Sequence, residues 1–298
     1  MIEDRTKKGK ACITNALSIC NEVTMGVYTI QTLMLLYRSI FLSVVLYNTQ
    51  AWTKLTPNNI NKLQVLQLNF IKRMLHAPTS TSNTITFLET GILPIQFEIH
   101  IKKLTFLHHI LTLDSDDPVK MTYTEQLKYQ FEANWANEVN TLRERYKIGE
   151  KDDEIKMMKR DKWKRQVKES VSAYAWKDMK EKAEQQKHGQ KLSFPTHIEA
   201  QKYMFELPSQ NARKVFHVRS GTIDLRAHRR YTYGDDNSCR LCGNNEETVE
   251  HVVNMCPEVP RSGHINVLGT DVNDLQEMSN RCLFFDECVN EISQTELT

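Results

Sequence analysis

Three cysteines and a histidine carry the clearest chemical signal in the chain. Cys239-Arg240-Leu241-Cys242 is followed by His251 and Cys256, a C-x2-C-x8-H-x4-C pattern. Thiols two residues apart close a tight turn that aims both sulfurs at one point, and a histidine and a third thiol on a following short helix can complete a tetrahedron. This is the donor set of a closed structural Zn2+ site, with no position left open for a reaction. The alternative is four unrelated, reduced side chains. A unit this small and polar has little core, so the metal would supply most of its folding energy.

Other residues invite chemistry and then withhold it. Tyr233-Gly234-Asp235-Asp236 has the form of a polymerase carboxylate turn, but its flanks, Arg229-Arg230-Tyr231-Thr232 and Asn237-Ser238-Cys239, are polar rather than apolar strands. It is expected to be a turn leading into the cysteine pair. Asp114 to Glu125 has calcium-loop spacing, yet Pro118 and Val119 stand where a ligand and the obligatory glycine belong; a helix-end loop is expected. His108-His109 lie on an apolar helix without an acidic or thiol partner at helical spacing, which suits packed or surface histidines. Phosphate-binding, serine-hydrolase, metalloprotease and dinucleotide motifs are absent from the sequence.

A basic run precedes the cysteines: Arg213-Lys214, Arg219, Arg226, His228 and Arg229-Arg230, interleaved with Phe216, Tyr231 and Tyr233. Guanidinium groups suit phosphate and rings suit stacked bases, a pairing found in single-strand and RNA recognition. Alternatively, the rings close the back of the cysteine unit and the arginines are solvated. Net charge over the 298 residues is only +2, but it is unevenly spread. Residues 140–191 carry 16 Lys/Arg against 10 Asp/Glu, residues 202–233 carry 7 against 2, and residues 234–298 carry 3 against 13. The first block reads as solvated helical faces; the second has too few acids for that and leans toward a polyanion contact.

The elements that position these residues read as helices. Ile13, Ala16, Leu17, Cys20 and Val23 give a helix over 5–25, ended by Gly26. Residues 29–47 form a second, apolar nearly all round and therefore central. Arg38 near its middle and the short apolar runs beside it argue against a membrane span. Thr56 caps a third at Pro57, with Ile60, Leu63, Leu66, Phe70 and Met74 inward and Lys72-Arg73 at its far end. Asn83 caps a short helix to Leu88, and 95–113 form another. Residues 121–147 and 151–186 are long polar helical segments that touch the rest at Trp135, Trp163 and Trp176. Residues 197–206 and 208–218 are short helices, and Asn245 caps the helix carrying His251, with Glu246 and Glu247 in its first turn. The pattern from Pro260 onward gives no clear element. Of the seven cysteines, Cys12 and Cys20 suit burial; Cys282 and Cys288 could pair, but the charged start lacks a leader, so a reducing, intracellular compartment is expected.

Three stretches together resemble the part after the polymerase in non-LTR (LINE-type) retrotransposon reverse transcriptases. Arg219-Ser220-Gly221-Thr222, Cys239 to Gly243, Glu246 to His251 and Cys256-Pro257 are similar to its zinc-binding segment. Leu35 to Ile40 and Val45 to Trp52 are similar to the helix after the palm. Lys72 to Pro78 and Glu89 to Ile95 are similar to the thumb and the segment after it. The likeness covers about residues 10–260 in the family's order. Together with the helical pattern and the charge blocks, it gives a mainly α fold: a thumb-like helical bundle (5–113), long polar helices (114–196), a basic segment with a zinc knuckle (197–260) and, beyond the likeness, an acidic tail (261–298). The likeness further implies contact with RNA or DNA, no membrane and no small-molecule substrate. The candidate nucleic-acid residues are Lys72, Arg73, Arg213, Lys214, Arg219, Arg226, Arg229 and Arg230; the candidate zinc ligands are Cys239, Cys242, His251 and Cys256. The catalytic carboxylates of such an enzyme would lie upstream of Met1, so a non-catalytic role is expected, with a protein-interaction module built on a zinc clip as the alternative.

Overall fold

The computed structural model describes residues 2–24, 29–53, 55–129, 134–149 and 151–295, of which residues 21–24, 230, 231 and 295 are described in the backbone only. It is mainly helical, and among the described residues the one extended pairing is an isolated bridge between Ser238 and Glu246. In chain order the helices are α1 (Ile2–Thr24), α2 (Thr29–Leu36), α3 (Leu42–Val45), α4 (Pro57–Met74), α5 (Asn83–Thr90), α6 (Ile95–Thr112), α7 (Pro118–Lys128), α8 (Trp135–Arg145), α9 (Asp152–Met157), α10 (Arg160–Glu184), α11 (Tyr203–Glu206), α12 (Ser209–Ser220), α13 (Arg230–Tyr233) and α14 (Val272–Thr295).

Two apolar cores organise them. The first joins α1 to α5 with α11, α12, α14 and the cysteine segment; the second joins α6 to α10. Helices α6 and α10 serve both. Ile95 and Ile99 of α6 face the first core, while Phe97, Leu104, Leu107 and Leu111 face the second. Along α10, Trp163, Val167, Val171 and Ala175 enter the second core and Trp176, Met179 and Ala183 the first. Within each of the two sets the spacing is three or four residues, that of one helical face, and the face shifts by one residue between Ala175 and Trp176. The indole N–H groups fix the joints. Trp163 donates to Leu104 O at 2.9 Å, Trp176 to Pro195 O at 2.9 Å and Trp135 to Gln50 O at 2.7 Å.

Inside the first core a polar side chain sets the register. Gln67 is fully buried; its amide donates to Tyr37 Oη and Leu93 O, both at 2.7 Å, and its carbonyl accepts from Ile95 N at 2.8 Å. A buried amide with every partner supplied ties three chain segments together, whereas a half-satisfied one would cost about 1–3 kcal/mol. Gly91, at φ +62°, turns the chain after α5; a Cβ there would meet Ala200 N at 2.2 Å.

Several sequence expectations change in detail. The helix expected over 29–47 passes through a π turn at Tyr37–Phe41 between α2 and α3. It is not buried all round, since Leu35, Arg38, Ser39 and Ile40 face solvent. In this turn Tyr37 and Phe41 stack on each other and both meet Phe70, Tyr37 edge-on at 5.5 Å and Phe41 tilted at 5.2 Å. Ser82, not Asn83, caps α5, accepting from Ile85 N at 3.3 Å. The two long polar segments are each broken, the second at Met158 and Lys159 between α9 and α10. Only Tyr203–Glu206 of 197–206 is helical. Thr56 caps α4 as expected, and Asp117 caps α7 at Pro118, giving the calcium-like spacing its helix-end role. His108 packs, its Nε2–H donating to Met158 O at 2.8 Å, while His109 is exposed. No helix among the described residues is long and apolar enough to cross a membrane.

The stretch beyond Pro260 becomes a long helix. Asp271 caps α14 by accepting from Asn273 N and Asp274 N, both at 3.0 Å. Leu275, Met278, Cys282 and Phe285 are buried against the first core, with α12 as the main neighbour. Asn211 of α12 donates to Ser279 Oγ at 2.9 Å and Asn280 Oδ1 at 2.8 Å across that joint.

Candidate metal centre

A hairpin-like loop carries the first two thiols. Cys239 N donates to Asn245 O at 2.8 Å and Glu247 N to Asn237 O at 2.7 Å, pairing the strands on either side of the cysteine turn. Gly243 N returns to Cys239 O at 2.8 Å, and Gly243 takes φ +70°, which an L side chain resists. The chain then enters a single helical turn. The expected cap, Asn245, lies outside it; Thr248 caps instead, accepting from His251 N at 3.1 Å.

That turn is π-type over His251–Met255, and Cys256 N closes it on His251 O at 2.6 Å. In an ordinary α-helix, residues five apart point about 140° away from each other. A hydrogen bond from i+5 to i instead stacks the fifth residue over the first, so His251 and Cys256 project to one side. The wider turn thus turns an x4 spacing into a shared site.

The four donor atoms of Cys239, Cys242, His251 and Cys256 all lie within 4.8 Å of one another and can hold a metal ion. Among the described residues no other group of three or more His, Cys, Asp or Glu side chains gathers in this way. Cys239 Sγ and Cys256 Sγ are 3.9 Å apart, too far for a disulfide and close for unbonded thiols, and Cys242 Sγ lies 3.3 Å from His251 Nε2. Cys239, Cys256 and His251 are buried, and Cys242 is half-buried. Burial pushes the Cys239 thiol up and the Cys256 thiol up to about 12. Cys242 also feels burial, but N–H groups such as that of Asn244 outweigh it and lower its pKa. Burial likewise lowers His251, keeping the imidazole neutral and able to bind through Nε2. Its Nδ1 is buried without a hydrogen-bond partner. Two buried thiols and one buried imidazole, turned inward to one point, form a pocket that gains by taking in positive charge.

A carboxylate that the sequence placed at a helix start turns out to brace this unit. Glu247 is fully buried and accepts from Arg226 N at 2.9 Å, Arg240 N at 2.9 Å and the Arg240 guanidinium at 2.7 Å. Arg240 lies between the two cysteines of the turn. Its guanidinium also sits over the rings of Tyr233, at 4.9 Å, and Phe285 of α14, at 5.6 Å. Arg281 of α14 donates to Val253 O at 2.8 Å, inside the π turn, and to Gly263 O at 3.0 Å. The donor cluster, the 224–233 segment and α14 are therefore one packed body. Asp236 belongs to the same bracing: it accepts from Ser238 N at 3.0 Å and pairs with Arg226 at 2.5 Å. Gly234 at φ +72° makes the Tyr233-Gly234-Asp235-Asp236 stretch a turn.

The candidate nucleic-acid residues fare differently. Lys72 is a correction: it is buried, and its ammonium donates to Thr79 O and Thr81 O, both at 2.7 Å, closing the chain after α4. Arg219 is another. Only 1% exposed, it shares its Nε–H between the two Glu89 carboxylate oxygens at 2.9 and 3.0 Å and donates from its Nη atoms to Gly269 O and Ser193 O, while Tyr203 Oη donates to Glu89 at 2.7 Å. A guanidinium desolvated inside four chain segments does not meet a phosphate. Arg213 donates to Met74 O at 3.1 Å, completing the C-terminus of α4 together with His217 at Leu75 O. Lys214 pairs with Asp286 of α14, and Arg229 with Asp224 at 3.2 Å. Arg73 is exposed, and the Arg230 side chain lies outside the described residues. The signal for Glu89 was faint: an acid next to Phe87 and Leu88, whose arginine partner lies far away in sequence. Glu247 follows another acid in a polar stretch and gives no sign of burial.

No protein-family model, curated protein or solved structure matches the chain.

Proposed function

We propose that this chain is a non-catalytic, nucleic-acid-binding portion of a non-LTR retrotransposon reverse transcriptase, with its C-terminal region organised by one structural Zn2+ at Cys239, Cys242, His251 and Cys256. The observation that carries the proposal is the convergence of those four donors. For tetrahedral zinc, bonds of about 2.3 Å to sulfur and about 2.0 Å to nitrogen imply sulfurs about 3.8 Å apart and sulfur to nitrogen about 3.5 Å. The separations of 3.9 Å and 3.3 Å fit that shell. Bound there, zinc would supply the positive charge that lets buried thiols ionise, and four protein donors would leave it no open position. The protein's own residues do the rest. Cys239 and Cys242 are presented by the loop, His251 and Cys256 by the π turn, and Glu247 with Arg240 holds the two together. The likeness of Arg219 to Thr222, Cys239 to Gly243 and the stretches around Lys72 and Glu89 supports the family assignment.

Purified protein is expected to carry one zinc per chain by elemental analysis and to bind RNA or DNA with an affinity that falls as salt rises. Primer extension with added Mg2+ is expected to give no product. Metal-dependent extension abolished by Asp235→Ala would overturn the non-catalytic assignment. A second proposal, a protein-interaction module with a zinc clip, is favoured by the internal partners of Lys72, Arg213, Lys214, Arg219, Arg226 and Arg229. Retained partner capture without any nucleic-acid binding would select it.

A further inference from the structure

Six of the eight cations that the sequence singles out already have partners within the chain, while other cations line a cleft. An open cleft of about 1130 Å3 runs between the π turn at Tyr37–Phe41 and the length of α10. Arg38 stands on one wall and Arg165, Lys168, Lys177 and Lys180 on the other. Arg38, Arg165 and Lys168 are exposed. Among the described residues none of these three forms an ion pair; Arg38 and Lys168 act on Glu98 only at longer range. By contrast Lys177 is spent on Glu181, at 3.8 Å.

Position along α10 explains this. The helix buries Trp163, Val167 and Val171, and Arg165, Lys168 and Ser172 fall away from that face, where they overlook the cleft. At 1.5 Å per residue, Arg165 to Lys180 spans roughly 22 Å. A compact anion needs cations converging on one point; cations spread over this length match an extended polyanion. The floor is apolar at Leu42, Ile92 and Ile198, which suits bases turned away from the phosphates. The acids that line the cleft are Glu98, Glu169, Glu181 and Glu184. Glu181 and Glu184 offset Lys177 and Lys180 toward the far end of α10, while Glu98 and Glu169 stand against Arg38, Arg165 and Lys168, so the excess positive charge lies at the end with those three cations.

We propose that this cleft, and not the basic run before the cysteines, seats a single strand of nucleic acid, with Arg38, Arg165 and Lys168 on its phosphates. The proposal rests on the nucleic-acid function above. The test uses the full zinc-loaded chain and fluorescence anisotropy with a labelled 20-nucleotide single-stranded RNA, the matching DNA strand and a duplex, across a salt series. Arg165→Glu/Lys168→Glu is expected to weaken single-strand binding at least tenfold at moderate salt. The neutral pair Arg165→Gln/Lys168→Gln is expected to lower the slope of log affinity against log salt by about 1.4, from two lost contacts. Arg73→Glu is expected to change affinity less than twofold. All these side chains are exposed, so zinc content and helical circular dichroism should match the parent. If the parent binds and both paired variants bind equally well with the same slope, the cleft assignment is overturned and the nucleic-acid function stands. If the parent binds none of the three nucleic acids at low salt, the function itself fails. Preference for a polyglutamate peptide over every nucleic acid would hand the cleft to an acidic protein and overturn the proposal.

Discussion

The donor cluster and the second core are held by different means, although both are built from polar sequence. Around the second core, α7 to α10 bury Trp135, Tyr146, Ile155, Trp163, Val167 and Val171 against α6. Burying a large apolar side chain contributes about 1.5–3 kcal/mol, so a few well-spaced residues hold a segment whose remaining positions are charged. The cysteine loop and π turn contribute aliphatic side chains of modest size, Val249, Val252, Val253 and the half-buried Leu241, and lean on Glu247, Arg240 and Arg281. Low hydrophobicity thus has two cures in one chain. One is a sparse stripe of large rings; the other is a web of buried polar contacts around four donors that can hold an ion.

Removing the metal should separate the two regions most sharply. Chelation, or Cys256→Ser, is expected to strip hydrogen-exchange protection from residues 237–258 and loosen α14 at Arg281. Structural zinc supplies on the order of 10 kcal/mol in small metal-built units. The four tryptophans lie at positions 52, 135, 163 and 176, so tryptophan fluorescence should barely change. Full protection of 237–258 in metal-free protein would erase the distinction.

Between the two regions stands the Glu89–Arg219 pair, which uses buried charge. Arg219→Met leaves Glu89 fully buried with only Tyr203 as partner, and denaturant melts should show a loss of about 3–5 kcal/mol. The double variant Glu89→Leu/Arg219→Met should recover most of it. A larger loss in the double variant would show that the pair, and not merely its completeness, holds α5 to α12.

A smaller change probes the ring-based core. Trp163→Phe keeps an aromatic ring but removes the N–H that Leu104 O accepts. The expected cost is about 1–3 kcal/mol, with zinc content unchanged. A loss of bound zinc in this variant would mean that the two regions are coupled through α10.

Much of this was legible in the residues. Thr56-Pro57 marked the start of α4, the tryptophans marked where α8 and α10 anchor, and the cysteine and histidine spacing marked the donor cluster. What stayed hidden depends on long-range partners. Arg219 in a basic run looks like a phosphate ligand until Glu89, 130 positions earlier, is brought against it. Glu247 looks like a helix-dipole residue until Arg240 folds onto it. The π turn at His251 has no local signature, since a one-residue widening is set by where the next segment must go. Helix α14 was obscured because its buried positions, Leu275, Met278, Cys282 and Phe285, are diluted by Asn, Gln and Glu that face solvent.

Acidification should weaken the second core before its rings are disturbed, and the cause is His100. Its Nδ1 lies 2.6 Å from Tyr146 Oη. Burial, then Arg145 and Lys103, lower its pKa from the ordinary 6.5 to about 3. Tyr146, pushed up to about 12 by burial, stays a neutral phenol throughout. The unfolded chain therefore takes up a proton that the folded one refuses. The stability tied to neutral His100 is whole above pH 6.5 and drains as pH falls from there toward about 3. One pH unit across that window is worth about 1.4 kcal/mol, and partial solvent contact at the ring reduces it to about 1 kcal/mol by pH 5.5. His100→Gln cannot titrate. Denaturant melts of both proteins in excess zinc, at pH 7.5 and pH 5.5, should show the advantage of the parent shrinking by that amount, because the titration of His251 is common to both and cancels. An advantage that stays constant over this range would place the acid sensitivity in the metal region alone and leave the ring-based core indifferent to pH.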